Sequence, residues 1–138
     1  MNRSLLISGL LLVLLALLTG FAVPSVALPR LGLSAHTIGL LGGTLLIAVG
    51  AIGSQLELGR RGERALAACW IYAVYSNWLG CLVGAATGAG RATPIASAGA
   101  AGPPAAEILV MFLLGTGSLV ALAAVALSLW GLRRPATA

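Results

Sequence analysis

The sequence predicts an all-α membrane protein, a bundle of four transmembrane helices with both termini cytoplasmic. Hydrophobic residues make up 59% of the chain and charged residues only 8%, whereas soluble domains carry about 25% charged residues. Uncharged apolar stretches long enough to cross a bilayer, roughly 20 residues each, occur four times. The chain is therefore predicted to be one domain, 1–138, with spans at about 5–27, 36–56, 65–88 and 107–132.

The positions of the basic residues predict how these spans are oriented. All eight are arginines, and cytoplasmic loops of membrane proteins are enriched in basic residues. Only Arg30 and Arg91 fall on the outer side, and six fall on the inner side of a bacterial-type inner membrane: Arg3, Arg60, Arg61, Arg64, Arg133 and Arg134. Arginines at helix ends also account for the pI of 10.7. The expected partner is the lipid bilayer, not nucleic acid.

The first span has a second interpretation, a cleaved signal peptide. Arg3, the leucine-rich run and the small residues ending at Ala27 are typical of one. The apolar run of about 20 residues is longer than the usual 7–15 of a signal sequence. Cleavage would also leave three spans and disturb the charge balance, so a retained helix is favoured.

The second span carries His36, the only histidine in the chain. Pro24 and Pro29 are predicted to end helix one. Ser34 is the predicted N-cap of helix two, and Gly59 its C-terminal cap. His36 is then expected just below the outer surface, and residues 60–64 form a short cytoplasmic hairpin.

Neutral imidazole is a strong ligand for metal ions and haem iron, so His36 is the first candidate site residue. Gly39 and Gly43 lie one and two turns further along the same face. They leave a strip of bare backbone against which a flat group or another helix can lie. The structural alternative for His36 is an interfacial histidine bound to a loop carbonyl.

Asn77, in the third span, is the second candidate. An unpaired amide in hydrocarbon costs several kcal/mol, so Asn77 needs a partner. A contact that joins two helices is the structural alternative. Asn77 and His36 are expected about 10–15 Å apart in depth. Tyr75 lies 200° from Asn77 around the helix, so the two cannot face one pocket within a subunit.

Other features of the last two spans are structural by prediction. Glycines at 80, 84 and 88 predict close helix packing and favour an oligomer. Cys69 and Cys81 are about 18 Å apart on one helix and cannot form a disulfide. The outer loop 89–106 is either a functional cover or a slack tether. Glu107 suits the N-terminus of helix four, and Met111 is expected in the core.

Several classes of function are excluded by what the spans contain. A single histidine cannot supply a bis-histidine haem within one chain. Spans without Asp, Glu, Lys or Arg argue against an ion-coupled transporter. No Ser-His-Asp set, phosphate-binding loop or zinc-ligand cluster occurs in the sequence. One histidine on haem iron would leave a coordination position open, as Lewis-acid chemistry requires.

Three segments carry a family resemblance: LLTGFAVPSVALPRLGLSAH (17–36), IYAVYSNWLGCLVGAATGAGRATPIA (71–96) and LWGLRR (129–134). With them the chain resembles hydroxylaminobenzene mutase, a small four-helix membrane enzyme. That enzyme converts phenylhydroxylamine to 2-aminophenol by moving the hydroxyl group intramolecularly. More distantly, the chain is similar to styrene oxide isomerase, which is a trimer with haem b between subunits.

The resemblance implies roles for the candidate residues. It implies that His36 is the axial ligand of haem b, that Asn77 lines the substrate side, and that ferric iron is a Lewis acid in a reaction without net redox change. Tyr75 or Tyr72 of a neighbouring subunit would help to orient a small apolar aromatic substrate. The two outer arginines are candidates for the haem propionates, since Arg binds carboxylates bidentately. Ordinary loop charge is the alternative for both.

Two positions depart from the family pattern. An Asn-Gly pair is expected after the histidine, where this chain has Gly42-Gly43. The tyrosine expected one turn beyond Asn77 is Cys81. These differences keep two other functions open, an epoxide isomerase and a non-enzymatic membrane module that binds haem or serves packing.

Overall fold

The computed structural model describes residues 2–133, which are all helical apart from their connections. Four helices are long and apolar enough to be candidate membrane spans, as predicted. A short helix, α4, lies between the last two of them. The long helices are α1 (Arg3–Ala22), α2 (Pro29–Ala51), α3 (Gly59–Thr87) and α5 (Pro104–Leu132), and α4 is Pro94–Ser97. Single 3₁₀ turns, Val23–Ser25 and Ile52–Gln55, follow α1 and α2.

Helix α3 is the centre of the bundle. It packs against α2 and α5 and touches α1, while α1 packs mainly on α2. Its polar side chains bind the neighbouring helices. The indole Nε1 of Trp70 donates to Ser128 Oγ of α5 at 3.2 Å, and Tyr75 donates to the Ser8 carbonyl of α1 at 2.9 Å. These bonds join α3 to both outer helices and fix its rotation.

Backbone hydrogen bonds show which chain ends lie together. At one end the Asn2 amide donates to the Gly50 carbonyl and the Glu57 amide to the Gly131 carbonyl. At the other end the Leu28 amide donates to the Ala85 carbonyl. The arginines are therefore sorted as predicted, with Arg30 and Arg91 alone at the second end. Arg134 lies outside the described residues, and cytoplasmic termini remain a prediction.

The start of α2 differs from the prediction. The helix begins at Pro29, with Leu28 in the cap position, so Ser34 is not the N-cap. Its hydroxyl instead donates to the Arg30 carbonyl inside the first turns. Proline at the first helical position has the φ that a helix needs and no amide to satisfy there. His36 consequently lies two turns inside the helix.

Three further predictions are wrong, two about the connection between α2 and α3 and one about α5. Gly59 has φ +64° and begins α3, so it does not cap α2. The segment 60–64 belongs to the first turns of α3 and is not a separate hairpin. Met111 is 53% exposed on α5 and is not a core residue of the chain. Hydropathy alone cannot tell lipid-facing from buried positions, because both are apolar.

The long loop 89–106 is held in place by one carboxylate and is not a slack tether. Glu107 is buried, and its Oε1 accepts hydrogen bonds from the amides of Gly90 at 3.1 Å and Gly102 at 2.8 Å. Its Oε2 accepts one from the Arg91 amide at 3.1 Å. Ser97 of α4 donates to the Gly90 carbonyl at 2.9 Å. The helix-dipole explanation for Glu107 was incomplete, since the carboxylate also holds both ends of the loop.

Replacing Glu107 by Gln is expected to loosen this loop. The glutamine NH₂ would face an amide donor, and the charge-assisted bonds would be lost. We expect the unfolding temperature in detergent to fall by about 5 °C, with faster proteolysis within residues 89–106. Glu57→Gln is the control, and unchanged proteolysis in Glu107→Gln would contradict the role given to this carboxylate.

Candidate functional site

The imidazole of His36 is held by α1, and its second nitrogen has no partner among the described residues. The side chain is half-buried, and Nδ1 lies 2.7 Å from the Ala16 carbonyl oxygen. A carbonyl only accepts, so neutral His36 carries its proton on Nδ1 and keeps a lone pair on Nε2. Ligating histidines are commonly oriented in this way, with the second nitrogen bound to a backbone carbonyl. The carbonyl belongs to helix α1 and not to a loop.

Gly20 makes the space for this ring, and the sequence analysis did not identify it. A Cβ at Gly20 would lie 2.8 Å from Nδ1 and 2.9 Å from Cε1 of His36. The signal in the sequence was the Ala16-xxx-Gly20 spacing on α1, which puts a small residue beside the accepting carbonyl. Gly20 and Ala16 together form the slot for the imidazole.

The glycine strip on α2 is filled by packing. A Cβ at Gly39 would lie 2.6 Å from Ala16 Cβ and 2.8 Å from Trp78 Cδ1. At Gly43 it would lie 2.6 Å from Val13 Cγ2. Both glycines are buried. The sequence left open whether a flat group or another helix lies against this strip, and the structure shows other helices there. The geometry does not support Gly39 and Gly43 as cofactor-binding residues.

Asn77 lies in an apolar groove between α2, α3 and α5. The groove has a volume of about 260 Å³, and Ile38, Gly42 and Val74 are among its lining residues. The half-buried Asn77 forms no side-chain hydrogen bond with the described part of the chain. It does not join two helices of its own subunit. Its amide is therefore available to a molecule in the groove or to another subunit.

His36 and Asn77 lie at similar depth but on opposite sides of α2. Gly39 contacts Trp78, so His36 and Asn77 differ by about 6 Å along the bundle. This is less than the predicted 10–15 Å, because His36 lies deeper than expected. Ile38, which lines the groove, lies 200° from His36 around α2. One chain alone does not bring the two residues together.

The two tyrosines line a different groove, of about 540 Å³, on the far side of α3. Tyr75 donates to the Ser8 carbonyl. Tyr72 Oη lies 2.7 Å from Thr116 Oγ1, and since that hydroxyl donates to the Phe112 carbonyl, Tyr72 is the donor. The predicted separation of Tyr75 from Asn77 is observed. The proposed catalytic set is thus divided between two grooves.

The remaining candidate residues lie outside both grooves. Arg30 is exposed in the first turn of α2, and Arg91 is exposed in the loop beside Glu107. Cys81 is 4% exposed in an apolar cluster with Leu31 and Ala85, so it is a buried small hydrophobe. Residues 2–133 contain no cluster of three His, Cys, Asp or Glu that could hold a metal ion.

The described residues thus form a small all-helical protein with four candidate membrane spans, one imidazole and one amide in an apolar groove. Residues 1–133 match the family model described as styrene oxide isomerase, and the chain belongs to this family. It is 46% identical over 132 residues to hydroxylaminobenzene mutase HabB of Ectopseudomonas oleovorans, covering 95% of this chain and 80% of the relative.

Hydroxylaminobenzene mutase HabA of the same organism is 41% identical over 115 residues, covering 83% of this chain and 85% of HabA. No solved structure matches the chain. The family and both relatives support an isomerase or mutase, as the sequence resemblance implied.

The orientation of His36 can be tested by ¹⁵N NMR, because histidine labelling reports a single residue. The purified protein without added cofactor is expected to show the Nδ1–H tautomer. In Gly20→Ala the added methyl group would displace the ring and give a mixture of tautomers. Gly115→Ala is the matched control, since a Cβ there meets no atom within 4 Å. An Nε2–H tautomer in the unmodified protein would refute the assignment.

Proposed function

We propose that this protein is a membrane isomerase of the hydroxylaminobenzene mutase type. The reaction breaks the N–O bond of an aryl hydroxylamine and forms a C–O bond at the ortho ring carbon. The proton lost from that carbon is balanced by one gained on nitrogen, so the product is a 2-aminophenol. Substrate and product are isomers, so the reaction needs no oxidant or reductant. The observation that carries the proposal is the 46% identity to a mutase over 95% of the chain.

The proposed cofactor is haem b, bound through Nε2 of His36. The donor set fits, because the Nδ1 bond to Ala16 fixes the tautomer that leaves Nε2 as the ligand. When bound, ferric haem supplies a Lewis acid with an open coordination position. The exposed guanidinium groups of Arg30 and Arg91 lie at the same end of the bundle and suit the propionates.

Asn77 is proposed to orient the substrate. Its amide has both a donor and an acceptor, which match the N–H and O–H groups of a hydroxylamine. The apolar groove around it accepts the aromatic ring from the bilayer and excludes water. Gly42 lines this groove, so the amide expected at that position is absent next to Asn77. Asn77 is then the principal polar contact on this side of α2.

A homotrimer in the inner membrane would assemble the complete site. His36 and the Asn77 groove lie on opposite sides of α2, so a head-to-tail contact can bring His36 of one subunit near the groove of the next. Contacts of this kind form a closed ring when the rotation between subunits closes, as a trimer requires. Tyr72 and Tyr75 already donate their hydroxyl protons within their own chain. Their oxygens remain acceptors, which limits them to a supporting role.

An epoxide isomerase is the second candidate, because the matching family model is described as styrene oxide isomerase. The same site would apply, with an epoxide oxygen replacing the hydroxylamine oxygen. Assays with both substrate classes distinguish the two activities.

Isotope labelling tests the proposed reaction directly. Purified protein, loaded with haem, is incubated with phenylhydroxylamine carrying ¹⁸O in its hydroxyl group. Retention of ¹⁸O in 2-aminophenol is expected for intramolecular transfer, whereas a product with oxygen from water would refute it. In His36→Ala the Soret band and turnover should both be lost. Thr37→Ala, an exposed neighbour, should keep both.

Replacing Asn77 by Ala separates an enzyme from a packing module. Turnover is expected to fall about 10-fold, because the loss of one hydrogen bond of about 1–1.5 kcal/mol raises the barrier by a similar amount. Haem content and oligomer size should stay unchanged, because Asn77 bonds no described residue. Thr87→Ala on the same helix is the control. Loss of assembly with unchanged turnover per haem would favour a structural role.

A further inference from the structure

A cavity of about 480 Å³ lies at the end of the bundle where α1 begins. Its walls come from the start of α1, the end of α2 with the following turn, and the first turns of α3. It shares no lining residue with the two grooves described above. The proposed isomerase reaction gives it no role.

The lining carries one cation and one anion that do not pair with each other. Arg3 and Glu63 both line the cavity, and both are exposed. Among the described residues they form no ion pair. Asn2 and Ser54 add polar groups to the same lining. An occupant that carries one negative and one positive group would match both charges.

The cavity is also lined by apolar side chains. Leu5 is 2% exposed and Leu66 is 3% exposed, and both lie against the cavity. The aliphatic part of the lining, which includes Leu5 and Leu66, is therefore formed by side chains buried between the helices. An amphipathic lining of this kind suits an amphipathic ligand better than a small hydrophilic ion.

The cavity is part of the helix packing and not a gap between loose segments. The Asn2 amide donates to the Gly50 carbonyl at 2.9 Å, and Asn2 Oδ1 accepts from the Leu5 amide at 3.4 Å. A Cβ at Gly50 would lie 3.0 Å from Leu5 Cβ. These contacts fix the start of α1 on α2 and so fix the position of Arg3 relative to α2.

The position of the cavity along the helices indicates what kind of molecule could match the charges of Arg3 and Glu63. The cavity lies where three candidate spans begin or end, which is the depth of lipid headgroups in a bilayer. Pockets with basic residues at this depth bind lipid headgroups. An anionic lipid would satisfy Arg3 but would place a second negative charge near Glu63. A headgroup with phosphate and ammonium satisfies both.

We propose that this cavity binds the headgroup of a zwitterionic phospholipid with a primary ammonium group, such as phosphatidylethanolamine. The phosphate binds the guanidinium of Arg3, and the ammonium donates hydrogen bonds to the carboxylate of Glu63. The choline headgroup has the same charges but no N–H donor, so it binds more weakly. The site is independent of the proposed isomerase activity.

Native mass spectrometry of the detergent-purified protein tests this site with four probes: phosphatidylethanolamine, phosphatidylcholine, phosphatidylglycerol and soluble phosphoethanolamine. The first is expected to bind once per chain, about tenfold more tightly than the others, as the loss of a charged hydrogen bond predicts. Glu63→Gln should reduce its affinity to that of the choline lipid. Arg3→Gln should weaken all three lipids.

Matched controls are Arg61→Gln and Glu57→Gln, which change neighbouring charges outside the cavity and should keep the preference. Size-exclusion profiles confirm that each variant is folded. Equal or tighter binding of phosphatidylglycerol, strengthened by Glu63→Gln, would overturn the proposal in favour of an anion site. Soluble phosphoethanolamine binding as tightly as the lipid would also overturn it, and so would the absence of any preference.

Discussion

Neighbouring long helices contact each other at glycines, whose lack of a side chain lets the two helices approach closely. The rest of the structure depends on these contacts. Gly43 meets Val13 and Gly9 between α1 and α2, Gly39 meets Trp78 between α2 and α3, and Gly80 meets Leu114 between α3 and α5. In lipid the hydrophobic effect does not drive helices together, because the lipid tails are as apolar as the side chains. Close van der Waals packing stabilises the helix contacts instead. These contacts set the rotation of every helix, and with it the side on which each polar residue lies.

The polar groups of the bundle fall into two sets once that rotation is fixed. Tyr72, Tyr75, Trp70 and Glu107 each have a partner inside the chain, and they join helices or hold the outer loop. Asn77, Nε2 of His36 and the buried Nε1 of Trp78 have no such partner among the described residues. Since an unpaired polar group in hydrocarbon is costly, the second set indicates where a cofactor, a substrate or another subunit is expected.

The same reasoning connects the site to assembly. His36 is fixed against α1 while Asn77 faces the groove on the other side of α2, so neither residue alone defines the reaction site. Membership of the styrene oxide isomerase family and the two mutase relatives provide the class of reaction. In the proposed function, a complete site needs a contact between chains. Haem loading and oligomer size are therefore linked in this proposal.

The sequence by itself determined the four spans, the sorting of the arginines and the two candidates, His36 and Asn77. These follow from hydropathy, charge and the rarity of polar residues in the spans, which are local properties. The separation of Tyr75 from Asn77 also followed from the helical repeat. Only the tertiary structure decided that the glycine strip holds α1, that Gly20 makes the imidazole slot, and that Glu107 binds loop amides up to 17 residues away. These depend on the depth and rotation of one helix against another, which no local pattern fixes.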